Sequence, residues 1–185
     1  MKNLLKDIAT IQTGLFAKSQ EAGDVVYLQA KDFDENGQLL SVLYPDLSSD
    51  DISEKHLLRI GDVLFAAKGT KNFASVYESH HPLAVASTSF FVIRLRVNNV
   101  LPAYMACFLN NTNTQNLIKE NARGTAMPSI RKSVLEEVEV PIPSLEKQMA
   151  IVQLASLVGA EHQLRLAILQ KRKQLIEHQI IKAIL

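Results

Sequence analysis

Two hydrophobic patterns divide this chain. From Val25 to Val140 apolar residues come in short runs cut by polar turns, which predicts several strands and a few helices; from Leu145 onward they recur every three or four residues with no such breaks. Residues 25–29 read as a strand. The DENG stretch at positions 34–37 is turn chemistry leading into a second apolar run over residues 39–44, and the turn at 59–62 delivers a strand over residues 63–66. The clearest alternation is at 91–97, where Phe91, Ile93, Leu95 and Val97 share one face while Arg94 and Arg96 project from the other. That pattern predicts a half-buried strand with a basic outer face.

Helical spacing appears next. Leu101, Tyr104, Met105, Phe108 and Leu109 follow one helix face, with Pro102 placed for the first turn. A second short helix runs from Thr112 or Asn113 to about Ala122 and stops at Gly124. The segment 124–132 then reads as a loop whose glycine, proline, hydroxyls and paired bases suit close approach to a ligand, before a last strand around Val138 and Val140. Pro141 and Pro143 mark a boundary, because prolines end a sheet and Ser144 can cap a new helix with Glu146 at its positive end. The expected organisation is α+β: a mixed-sheet domain over residues 1–143, then one long helix over 144–185. Its 41 residues from Leu145 to Leu185 would form a rod of about 61 Å at 1.5 Å per residue.

Along the rod, Leu154, Leu157, Glu161, Leu164, Ile168, Lys171, Leu175 and His178 fall at alternating three- and four-residue steps, the seam of a coiled coil. Its polar positions are arranged in mirror fashion. In an antiparallel pair centred on Leu166, Glu161 faces Lys171 of the second copy, Leu164 meets Ile168, Leu157 meets Leu175 and Leu154 meets His178. A parallel pair would stack Glu161 on Glu161. The pattern therefore predicts an antiparallel homodimer, with packing of the helix back onto its own domain as the alternative.

Composition narrows the class. No apolar run has the length of a membrane span, and the charged start leaves no secretory core, so the expected address is cytoplasmic and no membrane partner is implied. The single cysteine, Cys107, sits in an apolar helical pattern, where a small inert thiol is the ordinary reading. The net charge of +1 conceals an uneven distribution: residues 24–62 hold nine acidic and three basic side chains, residues 63–133 eight basic and two acidic. One basic and one acidic surface would suit a phosphate binder. Phosphates are held by lysine, arginine and hydroxyl groups on loops, and base edges are read by arginine, asparagine and glutamine. By that criterion Lys68, Lys71, Asn72, Arg123, Thr125, Arg131 and Lys132 are the leading DNA-contact candidates, ahead of Arg94 and Arg96 on the strand face.

Essentially the whole chain resembles one half of the specificity subunit of type I restriction-modification systems. The stretches that carry the resemblance are LKDIATIQTG at 5–14, GDVLF at 61–65 with Lys68 and Gly69, STSFFVI at 87–93, GTAMPSI at 124–130 and VPIPSLEKQ at 140–148. The resemblance adds Gln12, Thr13 and Lys18, in and beside the first stretch, to the DNA candidates. It implies a target-recognition domain on a helical spacer, with double-stranded DNA, methyltransferase subunits and a restriction subunit as partners. The absence of a second recognition domain and spacer implies a dimer that rebuilds a full subunit, or a piece of a longer chain. Twofold symmetry would make the DNA target a split palindrome.

No catalytic, cofactor or metal site is expected. No two prolines are adjacent, as an amino-methyltransferase motif would need, and no lysine follows Asp or Glu by two positions, as a restriction-nuclease motif would need. Phosphate-loop, nucleophile-elbow and zinc-helix motifs are lacking too, and Glu78, His80 and His81 form the single candidate metal cluster. Activities would then lie in partner subunits. The competing reading is a structural adaptor that recruits a protein through its long helix without reading DNA.

Overall fold

The computed structural model describes residues 2–18, 23–34, 37–40, 42–69, 71–120 and 129–184. In chain order its elements are β1 (Lys2–Leu4), α1 (Leu5–Ile8), β2 (Ala9–Thr13), β3 (Val26–Leu28), β4 (Val63–Ala66), β5 (Ala74–Val76), β6 (Ala84–Ala86), β7 (Phe90–Leu95), α2 (Pro102–Asn110), α3 (Thr112–Glu120), α4 (Lys132–Glu136), β8 (Glu139–Pro141) and α5 (Leu145–Ile184). The central sheet has the order β2-β7-β4-β5, antiparallel throughout. Two small pairs flank it: β1 with β8, antiparallel, and β3 with β6, parallel.

Alternation sends the side chains of the central sheet into two cores. Ala9, Ile11, Val63, Phe65, Phe91 and Ile93 face a core closed by Leu5 and Ile8 of α1, Tyr104, Met105 and Leu109 of α2, Ile118 of α3 and Leu135 of α4. Leu64, Ala66, Phe90 and Val92 face a second core against Val26 and Leu28 of β3 and Ala84 and Ala86 of β6. Phe33, Phe73 and Phe90 pack there with ring centroids 5.2 to 6.0 Å apart. The α+β class and the long C-terminal helix are as the sequence predicts.

Strand β7 differs from its expectation. It lies between two neighbours and is buried on both faces from Phe90 to Ile93, so it has no solvated face there. Arg94 is not a basic surface residue. It turns onto Asp62, which is 1% exposed, with Nε donating to Oδ1 at 2.7 Å and Nη2 to Oδ2 at 2.6 Å; the carboxylate holds the guanidinium pKa above its ordinary value. Arg96 donates to the carbonyls of Lys6 and Asp7. The predicted strand over 39–44 does not form: its described residues contribute an isolated bridge from Leu39 to Phe33, and Leu40, Val42 and Tyr44 are exposed. An apolar run without a partner edge cannot satisfy its backbone as a strand. Helix α4 begins at Lys132 inside what reads as a loop.

Helix α5 starts where expected. The backbone N–H of Lys147 donates to Ser144 Oγ at 3.4 Å, and Ile151 and Val152 pack on the first core. From Gln153 to Ile184 the helix is exposed, so it does not fold back on its own domain. Its base is pinned by Gln148, a glutamine with no solvent exposure: Oε1 accepts from the N–H of Leu101, and Nε2 donates to the carbonyls of Asn99 and Pro143. Gln148→Ala strands a donor and two acceptors and is expected to cost about 2 kcal/mol in chemical unfolding. A loss below about 0.5 kcal/mol would mean that water replaces the amide.

Candidate nucleic-acid interface

Sheet polarity decides which loops meet. Strands β2 and β4 both run antiparallel to β7, so both finish beside its start: Thr13 pairs with Phe91 and Ala66 with Phe90. The chain leaving β2, the turn entering β7 and the chain leaving β4 therefore share one end of the sheet. Gly14 N–H donates to the Phe90 carbonyl, and the Leu15 N–H to that of Ala86. A Cβ on Gly14 would sit 2.1 Å from the Ser87 carbonyl oxygen, so only glycine permits this crossing. The Ala67 N–H donates to the Ser89 carbonyl, which brings Lys68 to the same end.

Segment 129–131 joins them. Lys68 bridges to Ser129, and the Ile130 N–H donates to the Ala67 carbonyl, while the Ile130 side chain is buried in the first core. Arg131 follows, exposed, at the head of α4. Gly69 takes a φ of +117°, a left-handed turn that a side chain would strain, between Lys68 and the β4–β5 connection carrying Lys71 and Asn72. Lys68, Gly69, Lys71, Asn72 and Lys119 line one depression, with Asp34 at its wall. The three lysines of this depression outnumber its one lining carboxylate, Asp34. Three ammonium groups around one concavity create a field that suits phosphate.

The sequence candidates are thus partly gathered. Thr13, Lys18, Lys68, Lys71, Asn72 and Arg131 lie at or next to this end of the sheet, with both lysines of the β4–β5 connection exposed. Gln12 and Asn72 each use one amide hydrogen on a backbone carbonyl, that of Lys55 at 3.0 Å and that of Ala66 at 2.8 Å. Lys132 lies 3.3 Å from Glu136 one turn along α4. Arg123 and Thr125 lie outside the described residues. Two features escape the sequence reading: Lys119, which α3 carries to the depression, and the part-exposed hydroxyls of Thr88 and Ser89 in the turn before β7. A lysine on a polar helix face carries no signal of the loop it will meet.

The remaining chemistry is quiet. The Cys107 thiol is half-buried and its pKa is pushed up by desolvation, which disfavours the nucleophilic thiolate. His80 and Glu78 form a contact of 3.3 Å and His81 Nδ1 accepts the Glu78 N–H, so this cluster organises its own turn. Among the described residues no three His, Cys, Asp or Glu side chains gather to hold a metal ion, and no helix is long and apolar enough to cross a membrane.

Comparison with known proteins gives a consistent result. The family model described as the type I restriction modification DNA specificity domain matches residues 2–178. A type I restriction enzyme MjaX specificity subunit of Methanocaldococcus jannaschii is 27% identical over 115 residues, covering 60% of this chain and 27% of that protein. The crystal structure of the HsdS subunit from Thermoanaerobacter tengcongensis superposes with a TM-score of 0.67 at 19% identity, over 95% of this chain and 46% of that one. The type I restriction-modification S subunit from M. genitalium gives 0.60 at 17% identity, over 85% and 38%. At these identities the structural likeness is one of fold, and the chain spans less than half the length of each relative.

Proposed function

Since this chain belongs to the family of type I restriction modification DNA specificity domains, we propose that it reads one half-site of a bipartite DNA target and that two copies, joined through α5, read both. The observation that carries the proposal is the convergence of Lys68, Lys71 and Lys119 with the strap after β2 and the head of α4 at one end of the sheet. Exposed lysines hold phosphates and set register, while side chains on the neighbouring loops reach base edges. The exposed apolar face of α5, with Leu154, Leu157, Leu164, Ile168 and Leu175 each more than half exposed, supports a helix partner, and the mirrored seam makes a second copy in antiparallel register the occupant that satisfies Glu161 and Lys171. Residues 1–143 would be the recognition domain and 144–185 the spacer. Methyltransferase and restriction subunits would supply the chemistry and assemble on it, and with identical halves the target is a split palindrome.

Two measurements test this reading. Light scattering should give about twice the chain mass of 20.6 kDa. Binding to a random-sequence duplex should weaken steeply with salt, with log K against log salt falling by roughly 0.9 per phosphate contact. In the double variant Lys68→Ala, Lys71→Ala that slope should flatten by about 1.8, with affinity about tenfold lower or more at 0.1 M salt. Duplex binding that ignores salt, beside a normal dimer mass, would favour the adaptor reading.

A further inference from the structure

Among the described residues outside α5, the most exposed large apolar side chain is Phe16 at 83%, and it stands at the end of the sheet where the basic loops meet. A single exposed apolar residue is ordinary on a mobile loop. Phe16 lies between two anchored residues. Its two neighbours are tied to the same hydroxyl: Tyr27 Oη donates to the Leu15 carbonyl at 3.0 Å and accepts the Ala17 N–H at 3.3 Å. The Leu15 and Ala17 side chains pack on a third core around Val25, Tyr27, Leu47 and Val85. Alternation along this strap sends the intervening ring the other way, into solvent, with Thr13 and Lys18 on either side of it in the chain.

We propose that Phe16 is a base-contacting residue, its ring carried outward on an anchored strap so as to press on a thymine methyl group in the major groove. This rests on the DNA-reading function proposed above and adds a specificity determinant to it. The thymine methyl is the apolar group a base pair offers in that groove without unstacking, and apolar side chains including phenylalanine discriminate thymine by it. A backbone anchored on both sides of the ring leaves only two side-chain torsions to be ordered on contact, so most of the desolvation gain is available for recognition. The basic depression at the same end of the sheet supplies sequence-independent attraction; the ring supplies a preference.

A randomised duplex pool of about 30 base pairs, selected with the full chain, provides the probe. Phe16→Ala should unfold at the wild-type temperature, because the ring touches little of its own domain, and should keep the wild-type salt slope on a random duplex. On the selected duplex it should bind about tenfold more weakly, the scale of one lost base contact. Uracil, which pairs like thymine but lacks the methyl group, should weaken wild-type binding several-fold at one position and leave Phe16→Ala unaffected there. Equal binding of both proteins to the selected duplex overturns the proposal, as does a Phe16→Ala loss with no uracil-sensitive position. If the wild type enriches no sequence and binds no duplex, the DNA-reading function itself falls.

Discussion

Lys171→Glu is expected to weaken self-association of this chain ten- to a hundredfold, and adding Glu161→Lys to restore it. The reasoning is geometric. In the antiparallel register centred on Leu166, position 171 of one copy lies against position 161 of the other, twice per dimer, so the single change places two glutamates together at each site and the exchange rebuilds both pairs with reversed sign. In a parallel register like charges already face like, and neither variant should change association much. Within one chain Glu161 contacts Arg165 at 2.6 Å, one turn along α5, so part of its charge is satisfied before association and Glu161→Ala alone should matter less than Lys171→Glu. Leu164→Asp with Ile168→Asp, four unpaired carboxylates at the centre, should leave a chain of 20.6 kDa at any accessible concentration. Sedimentation equilibrium measures all of these, and failure of the charge exchange to recover the dimer would eliminate this register.

The second large effect concerns the domain. Asp62→Ala should cost on the order of 3 kcal/mol, a fall in the unfolding midpoint of roughly 10 °C, because it leaves the Arg94 guanidinium at the sheet without its counter-ion. The Arg94 side chain is 26% exposed, so water reaches part of it and the loss should stay below that of a fully buried pair. Asp62 also accepts the Arg59 N–H at 2.9 Å, and that donor loses its acceptor as well. Removing both charges with Asp62→Ala and Arg94→Leu should cost less than the two single losses added together. A change below 1 kcal/mol for Asp62→Ala would show the pair to be incidental. The turn at 59–62 enters β4 at the end away from Lys68, so the folded fraction of this variant should keep the wild-type salt dependence of duplex binding.

Much of the framework was legible because it depends on local signals. The turn before β4, the proline that opens α2, the strand before Pro141, and the cap and length of α5 each follow from residues close in sequence. The errors arose where the answer lay in distant partners. Arg94 looked solvent-facing by alternation, yet it meets Asp62, thirty-two positions earlier; residues 39–44 had strand composition but no edge to join. Short elements such as β1, β5 and β6 exist because of the strands and helices they pack against, and three residues hold too little periodicity to announce themselves.

Legible along the chain were the α+β class, the long C-terminal helix with its apolar repeat, and the concentration of basic residues between Val63 and Ser133. Periodicity and charge run along the chain, so they can be read there. Which of those bases come to lie together is a property of the fold. Antiparallel pairing of β2 and β4 with β7 delivers residues far apart in sequence to one end of the sheet; α3 brings Lys119 beside Lys68 and Lys71, and Tyr27 fixes the strap that holds Phe16 out. Strand order and direction are settled by which hydrophobic faces can be buried together, a property of the whole core that no single stretch of residues contains.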